Sequence, residues 1–197
     1  MHISDGILSG PVLAAGTLLA AGGIGIGLKK TEDRMIPRVA VFTSVFFVAS
    51  LIHLPLGPAG VHLVLNGLAG IMLGWAVFPA LFLGLLLQSI LFSHGGITAL
   101  GVNTFNMAFP GLVCFKIFRL MKNKPAGGFI AGFSGVAGSL ILLSTSLILT
   151  EKTFIPVSKL LSAGHLPVAV IEGIITASAV KFILMTAPGI ITDNHAS

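Results

Sequence analysis

Residues 1–28 read MHISDGILSGPVLAAGTLLAAGGIGIGL. A polar tip, residues 1–7, leads into a stretch with no charged side chain between Asp5 and Lys29. That stretch matches the roughly 20 apolar helical residues that cross ~30 Å of hydrocarbon. It is read as a first membrane span over 8–28, and it sets the fold class: an all-α membrane protein.

The rest of the chain repeats the pattern. Only 9% of the 197 residues are charged and 55% are hydrophobic, and the mean hydropathy is +1.05. A soluble domain carries about 25% charged residues, so the whole of 1–197 is read as a single integral membrane domain. Apolar runs place the spans near 8–28, 39–56, 62–75, 77–92, 106–121, 127–149 and 165–186, about seven in all. The third and fourth are short and meet at Gly74-Trp75, an interruption tolerated where protein covers the exposed backbone. The Gly/Asn-rich stretch 93–106 is too polar to span and is expected to be a loop near the bundle, and 187–197 a cytoplasmic tail. Gly23/Gly27, Gly70/Gly74 and Gly128/Gly132 have the small-xxx-small spacing that lets helices pack closely.

Basic residues orient these spans. Lys29, Lys30, Arg34, Arg38, Lys116, Arg119, Lys122, Lys124 and Lys181 fall on one side, and Lys152 and Lys159 on the other. The N-terminus is therefore expected outside and the C-terminus in the cytoplasm, in a multi-pass protein of the cell membrane. The net charge of +5 sits in membrane-side loops and points to no nucleic acid. The single Cys114 supports neither a disulfide nor a thiolate metal site. No Walker A loop is present, so ATP use would belong to another subunit. No secretory signal precedes the first span, and Met1-His2 is expected to stay on the mature chain.

That expectation gives the tip its interest. The Met1 amine and the His2 backbone nitrogen close a five-membered chelate ring on a metal. The same amide nitrogen and Nδ1 of His2 close a six-membered one. Three in-plane nitrogens need one more imidazole to complete a square, a geometry suited to Ni(II) or Cu(II). The bland alternative is a solvated polar N-terminus.

In the expected topology His53, His62 and His94 lie on the same side as the tip. His62 follows the turn-forming run Leu56–Val61 at the head of the third span, with Asn66 four residues on and so on the same helical face. Asn66 is then a candidate to hold the second ring nitrogen, as a metal-bound histidine usually requires. The alternative is an interfacial histidine that caps a helix. His94 precedes Gly95-Gly96 and a polar run holding Thr98, Asn103, Thr104 and Asn106, which either covers the metal site or forms an ordinary outer loop. His53 ends span two, His165 begins span seven at the interface, and His195 lies in the polar tail. Glu172, two turns into span seven, is a functional candidate because intramembrane carboxylates are costly. It either neutralises a metal site or ties helices together. Asp5 is placed to accept backbone N–H bonds within the tip.

The start Met1-His2-Ile3-Ser4-Asp5-Gly6, the Gly60-Val61-His62 histidine, the run Leu91–Ala108 and the stretch His165–Gly173 together resemble the CbiM/NikM family. These are metal-capture (S) components of energy-coupling-factor (ECF) cobalt and nickel importers, used among other things to supply cobalamin biosynthesis. The resemblance covers nearly the whole chain. It implies seven spans with the tip folded into the bundle, and metal ligands from Met1, His2 and His62. Asp5, Asn66, His94, Asn103, Asn106 and Glu172 would surround them. The transported ligand would be Co2+ or Ni2+, with no other cofactor. The implied partners are a membrane coupling (T) protein, a pair of cytoplasmic ATPases and, in some cobalt systems, a small accessory membrane subunit. Nickel-type members often follow the Gly-His with small residues. Here Leu63-Val64-Leu65-Asn66 follow, which leans toward cobalt. The rival readings are an S component for an organic vitamin, which would not need His2, and a membrane enzyme or assembly subunit built on Glu172.

Overall fold

The computed structural model describes residues 2–56 and 59–192. Met1, Gly57-Pro58 and His195 lie outside them. The long helices are α1 (Gly10–Lys30), α2 (Ile36–Ala49), α3 (Asn66–Leu73), α4 (Val77–Phe92), α5 (Leu100–Leu120), α6 (Lys124–Thr150) and α7 (Ile155–Thr186), with a final turn α8 (Gly189–Thr192). Proline stands in the first turn of α1, α2, α6 and α7, where its missing N–H costs nothing and its fixed φ suits a helix start. The Asn123 side chain caps α6 by accepting from Ala126 N at 3.1 Å. Among the described residues, four segments are long and apolar enough to cross a membrane: Gly10–Lys30, Asn66–Phe92, Lys124–Thr150 and Lys152–Thr186.

Several boundaries differ from those read in the sequence. The second span, expected over 39–56, is helical only to Ala49. Beyond it β1 (His53–Leu56) pairs antiparallel with β2 (Ala59–His62), with His53 opposite His62. Pro55 and Gly60 are poor helix residues, and both stand in the paired strands. His53 therefore opens a strand rather than ending a span, and His62 closes a strand rather than heading a helix. The polar loop expected over 93–106 shrinks to 93–99, because α5 starts at Leu100 and takes Asn103 and Asn106 with it. The seventh span begins at Ile155, not His165. Lys159 obscured its first turns in the sequence.

Chain direction puts the chemistry at one end of the bundle. A cavity at that end is lined by residues of the tip, by His62 and His94, and by Phe154 and His165. At the far end another lies against Lys29, Lys30, Leu73, Trp75 and Phe115. The chain reverses there between α3 and α4 at Gly74, whose φ of +54° is left-handed.

At the centre is α3. All eight of its residues are buried. At 1.5 Å per residue it spans only about 12 Å, so the backbone between His62 and Asn66 runs inside the protein without helical hydrogen bonds. Two groups make this possible. The Glu172 carboxyl, fully buried on α7, accepts the N–H of Val64 on Oε1 and of Leu65 on Oε2, the latter at 2.8 Å. Leu65 sits at φ +52°, a conformation that costs a non-glycine residue about 1–2 kcal/mol. The Asn66 amide, also fully buried, donates to Met107 O, Gly135 O and Ser139 Oγ at 2.9–3.1 Å, pinning the start of α3 to α5 and α6. Contact is backbone to backbone: a Cβ on Gly135 would lie 2.9 Å from Gly67 Cα and from Asn66 Oδ1.

Replacing Glu172 with Ala strands two buried N–H groups, each worth about 1–3 kcal/mol. Glu172→Ala should lower the thermal midpoint in detergent markedly, and Glu172→Gln, which keeps one acceptor, should lower it less. Equal midpoints for Ala and wild type would remove this role.

Candidate metal centre

The tip is held by two clamps from opposite ends of one short segment. Asn103, one turn into α5, binds the Ile3 peptide on both edges: Ile3 N donates to Asn103 Oδ1 at 3.0 Å, and Asn103 Nδ2 donates to Ile3 O at 2.9 Å. Ile3 itself is buried among the core apolar side chains. Asp5 accepts the N–H of Thr98 at 2.9 Å, the N–H of Ile97 at 3.2 Å and the Thr98 hydroxyl. The Thr98 hydroxyl, followed by the N–H groups of Thr98, Ala99 and Ile97, holds the Asp5 carboxyl below its ordinary value of 3.8 against the smaller opposing effect of burial. A depressed pKa means that this clamp is fully present above the ordinary carboxylate value and is lost as pH falls through the lowered one.

Glycine lets the 93–99 loop lie on the tip. Gly95 has φ +76°, and a Cβ there would meet Asn103 Nδ2 at 3.2 Å and His2 Cβ at 3.4 Å. A Cβ on Gly96 would overlap the Asp5 carboxyl.

These clamps bring the histidines together. The rings of His2 and His62 are stacked, with centroids 4.8 Å apart and planes 12° from parallel. His94 lies on the same stack, 6.4 Å from His2. His62 Nδ1 lies 2.9 Å from Leu63 O. A carbonyl can only accept, so Nδ1 carries the proton and the ring lone pair is on Nε2. That is the tautomer of a metal-ligating histidine whose other nitrogen is held.

The sequence expectations for the surrounding residues divide. Asp5 and Asn103 hold the tip, and His94 lines the same cavity as His2 and His62. Asn66 does not touch the His62 ring, because His62 is in a strand and the i, i+4 relation of a helix does not apply. The Leu63 carbonyl takes that position instead, and Asn66 fastens α3. Asn106 donates to Ser146 Oγ at 3.2 Å and ties α5 to α6 away from the cavity. Glu172 binds the backbone two and three residues after His62 and so acts on the centre by placing that segment. His165, expected at the interface, is buried and lines the cavity. The residues not anticipated are Thr98, which holds Asp5, and the carbonyl of Leu63. Only Thr98 had a signal in the sequence, as part of the polar run.

The cavity has a volume of about 380 Å³. Its other wall is apolar, with Leu140, Leu143 and Leu147 of α6 and Leu161 of α7. Among the described residues, no group of three or more His, Cys, Asp or Glu side chains is placed to hold a metal ion.

Comparison with known proteins identifies the family. The family model described as the cobalt uptake substrate-specific transmembrane region, CbiM, matches residues 2–190. A Haemophilus influenzae protein assigned to metal transport is 41% identical over the full length of both chains. A fused NikMN protein of Archaeoglobus fulgidus assigned to nickel transport is 31% identical over all of this chain and 70% of its own length. The cobalt transport protein CbiM of Lachnoclostridium phytofermentans is 32% identical over 88% of this chain and 74% of its own. The crystal structure of a transition metal transporter superposes with a TM-score of 0.83 at 26% identity, covering 100% of this chain and 97% of the other. This multi-pass membrane protein is a metal transporter component, not an enzyme, and the chain belongs to the CbiM family of cobalt-uptake transmembrane regions.

Proposed function

We propose that this chain is the substrate-capture subunit of an energy-coupling-factor importer for Co2+ or Ni2+. The carrying observation is the close approach of His2 and His62, with the tip clamped to α5 by Asn103. The ion takes the Met1 amine, the His2 amide nitrogen, the His2 imidazole and Nε2 of His62. Each ligand must be deprotonated, so binding releases protons and weakens on acidification. In this reading the tip faces the outside, which the distribution of basic residues supports. A membrane coupling protein and a cytoplasmic ATPase pair supply the energy, joined in some cobalt systems by a small accessory membrane subunit. The residues after His62 lean the cargo toward cobalt, whereas the nitrogen donors themselves bind nickel more tightly.

An N-terminal extension moves the amine out of the chelate. Adding one residue before Met1 should abolish tight binding of Ni2+ and Co2+ in calorimetry of the purified protein, and full affinity in that form would overturn the reading. His62→Ala should likewise lose tight binding, while His94→Ala should keep it; the reverse pattern would reassign the fourth ligand.

Asn103 orients the ligand segment without contributing a donor. Loss of such a group typically costs 10–100-fold in metal affinity, so Asn103→Leu should weaken binding by about that factor. Titration of the untagged variant against wild type measures it.

A further inference from the structure

Of the two cavity imidazoles that the proposed chelate does not use, His94 lies on the ring stack with His2, whereas His165 stands apart from it on α7. It sits inside α7, ten residues after its start, and is 5% exposed. Its Nδ1 lies 2.8 Å from Leu161 O, the carbonyl one helical turn earlier. Nδ1 is therefore the protonated nitrogen, and the lone pair is on Nε2. Among the described residues, that buried Nε2 has no hydrogen-bond partner. Leaving such an atom unpaired in an apolar wall costs about 1–3 kcal/mol. The wall around it is apolar, and a leucine or phenylalanine would fill the space at no such cost. His165 thus repeats the posture of His62 at Nδ1, whose N–H is tied to a backbone carbonyl in the same cavity, with the lone pair on Nε2.

We propose that His165 Nε2 is a transit ligand for the metal ion, a second and weaker coordination position on the path from the cavity mouth to the tip. The proposal rests on the reading of this cavity as the place of metal capture. Coordination exchanges one water of the hydrated ion for Nε2. No proton moves, because Nδ1 keeps its own. No three metal-binding side chains converge among the described residues, so the ion retains most of its water shell at His165. That condition suits a stopping point rather than a resting site. The chemistry answers a need of the cavity: the leucines of α6 and α7 offer a hydrated cation nothing, whereas an imidazole set among them allows ligand exchange in steps. A ligand touched only in passing speeds loading and release alike, and leaves the final affinity alone.

The test uses the untagged full chain in detergent, with Ni2+ alone as the probe. His165→Gln and His165→Phe are compared with wild type, the second variant keeping the ring volume should the first fail to fold. Stopped-flow loading at low Ni2+ should slow by about tenfold in both. The affinity of the tight equivalent, by calorimetry, should stay within about twofold, since forward and reverse rates change together. Titration with excess Ni2+ should show a second, weaker equivalent in wild type that both variants lose. Loading at the wild-type rate, or a weak equivalent that survives in the variants or is missing from wild type, overturns the proposal. The protein extended by one residue before Met1 separates the two readings. It should lose the tight equivalent and keep the weak one. Retention of the tight equivalent there sinks the chelate while leaving His165 to be judged on the weak one.

Discussion

The fold turns on one carboxyl group. A helix of eight residues cannot cross a bilayer, and a chain that enters a bundle before becoming helical brings unpaired N–H groups with it. In lipid-facing positions that is prohibitive. Here the entry occurs between α5, α6 and α7, and Glu172 accepts the two N–H groups, of Val64 and Leu65, that the turn would otherwise strand. The consequence reaches the cavity. With Val64 and Leu65 held, the segment from β2 is short and directed, and His62 is placed with its ring against that of His2. Asn66 does the complementary work one residue later by fastening the helix itself to α5 and α6. A buried acid and a buried amide, both spent on backbone, are thus what allow a histidine to stand at the inner end of a hairpin.

The small residues of the core follow from the same constraint. An eight-residue helix buried on all sides must be approached by backbone rather than side chain. Gly135 of α6 against Gly67 of α3 is such a contact. Gly128 and Gly132, read in the sequence as a packing pair, face α7 at Ala177, Thr176 and Glu172, so the spacing serves the α6–α7 contact that carries Glu172 inward. Gly23 and Gly27 do the same for α1 against Phe78 and Pro79 of α4.

Much of this was legible in the sequence, and the failures have physical reasons. Long uncharged runs mark α1 and α6 well, because hydrocarbon demands length and apolarity and nothing else competes. Where tertiary structure supplies what the local chain lacks, the pattern misleads. The apolar residues of 39–56 read as one span, yet the helix stops at Ala49 and His53–Leu56 pair with Ala59–His62, a partner strand that hydropathy does not reveal. The i, i+4 pairing of His62 with Asn66 presumed a helix that starts only at Asn66. The polar side chains of 103–106 read as loop, yet Asn103 and Asn106 are helical because each finds a partner in the tip or in α6. Lys159 masked the first turns of α7 and with them the burial of His165. The chelate proposed for the tip was read from covalent geometry alone. Which groups hold it was not legible, because Asn103 and Ile3 are a hundred residues apart.

The clamp on Ile3 also bears on the chemistry of the proposed chelate. Chelation through the His2 amide nitrogen requires that nitrogen to give up its proton, which is costly in a mobile peptide, where the freed charge is solvated in many conformations. Asn103 grips the next peptide on both its edges, and Asp5 anchors the chain beyond it. With those two fixed, the ordering of the tip is met when the protein folds and not when the ion arrives. Preorganisation of this kind raises affinity by lowering the cost of binding rather than by adding contacts. It also explains why the clamps are a buried amide and an acid outside the cavity: groups that hold backbone cannot then compete with it for the metal.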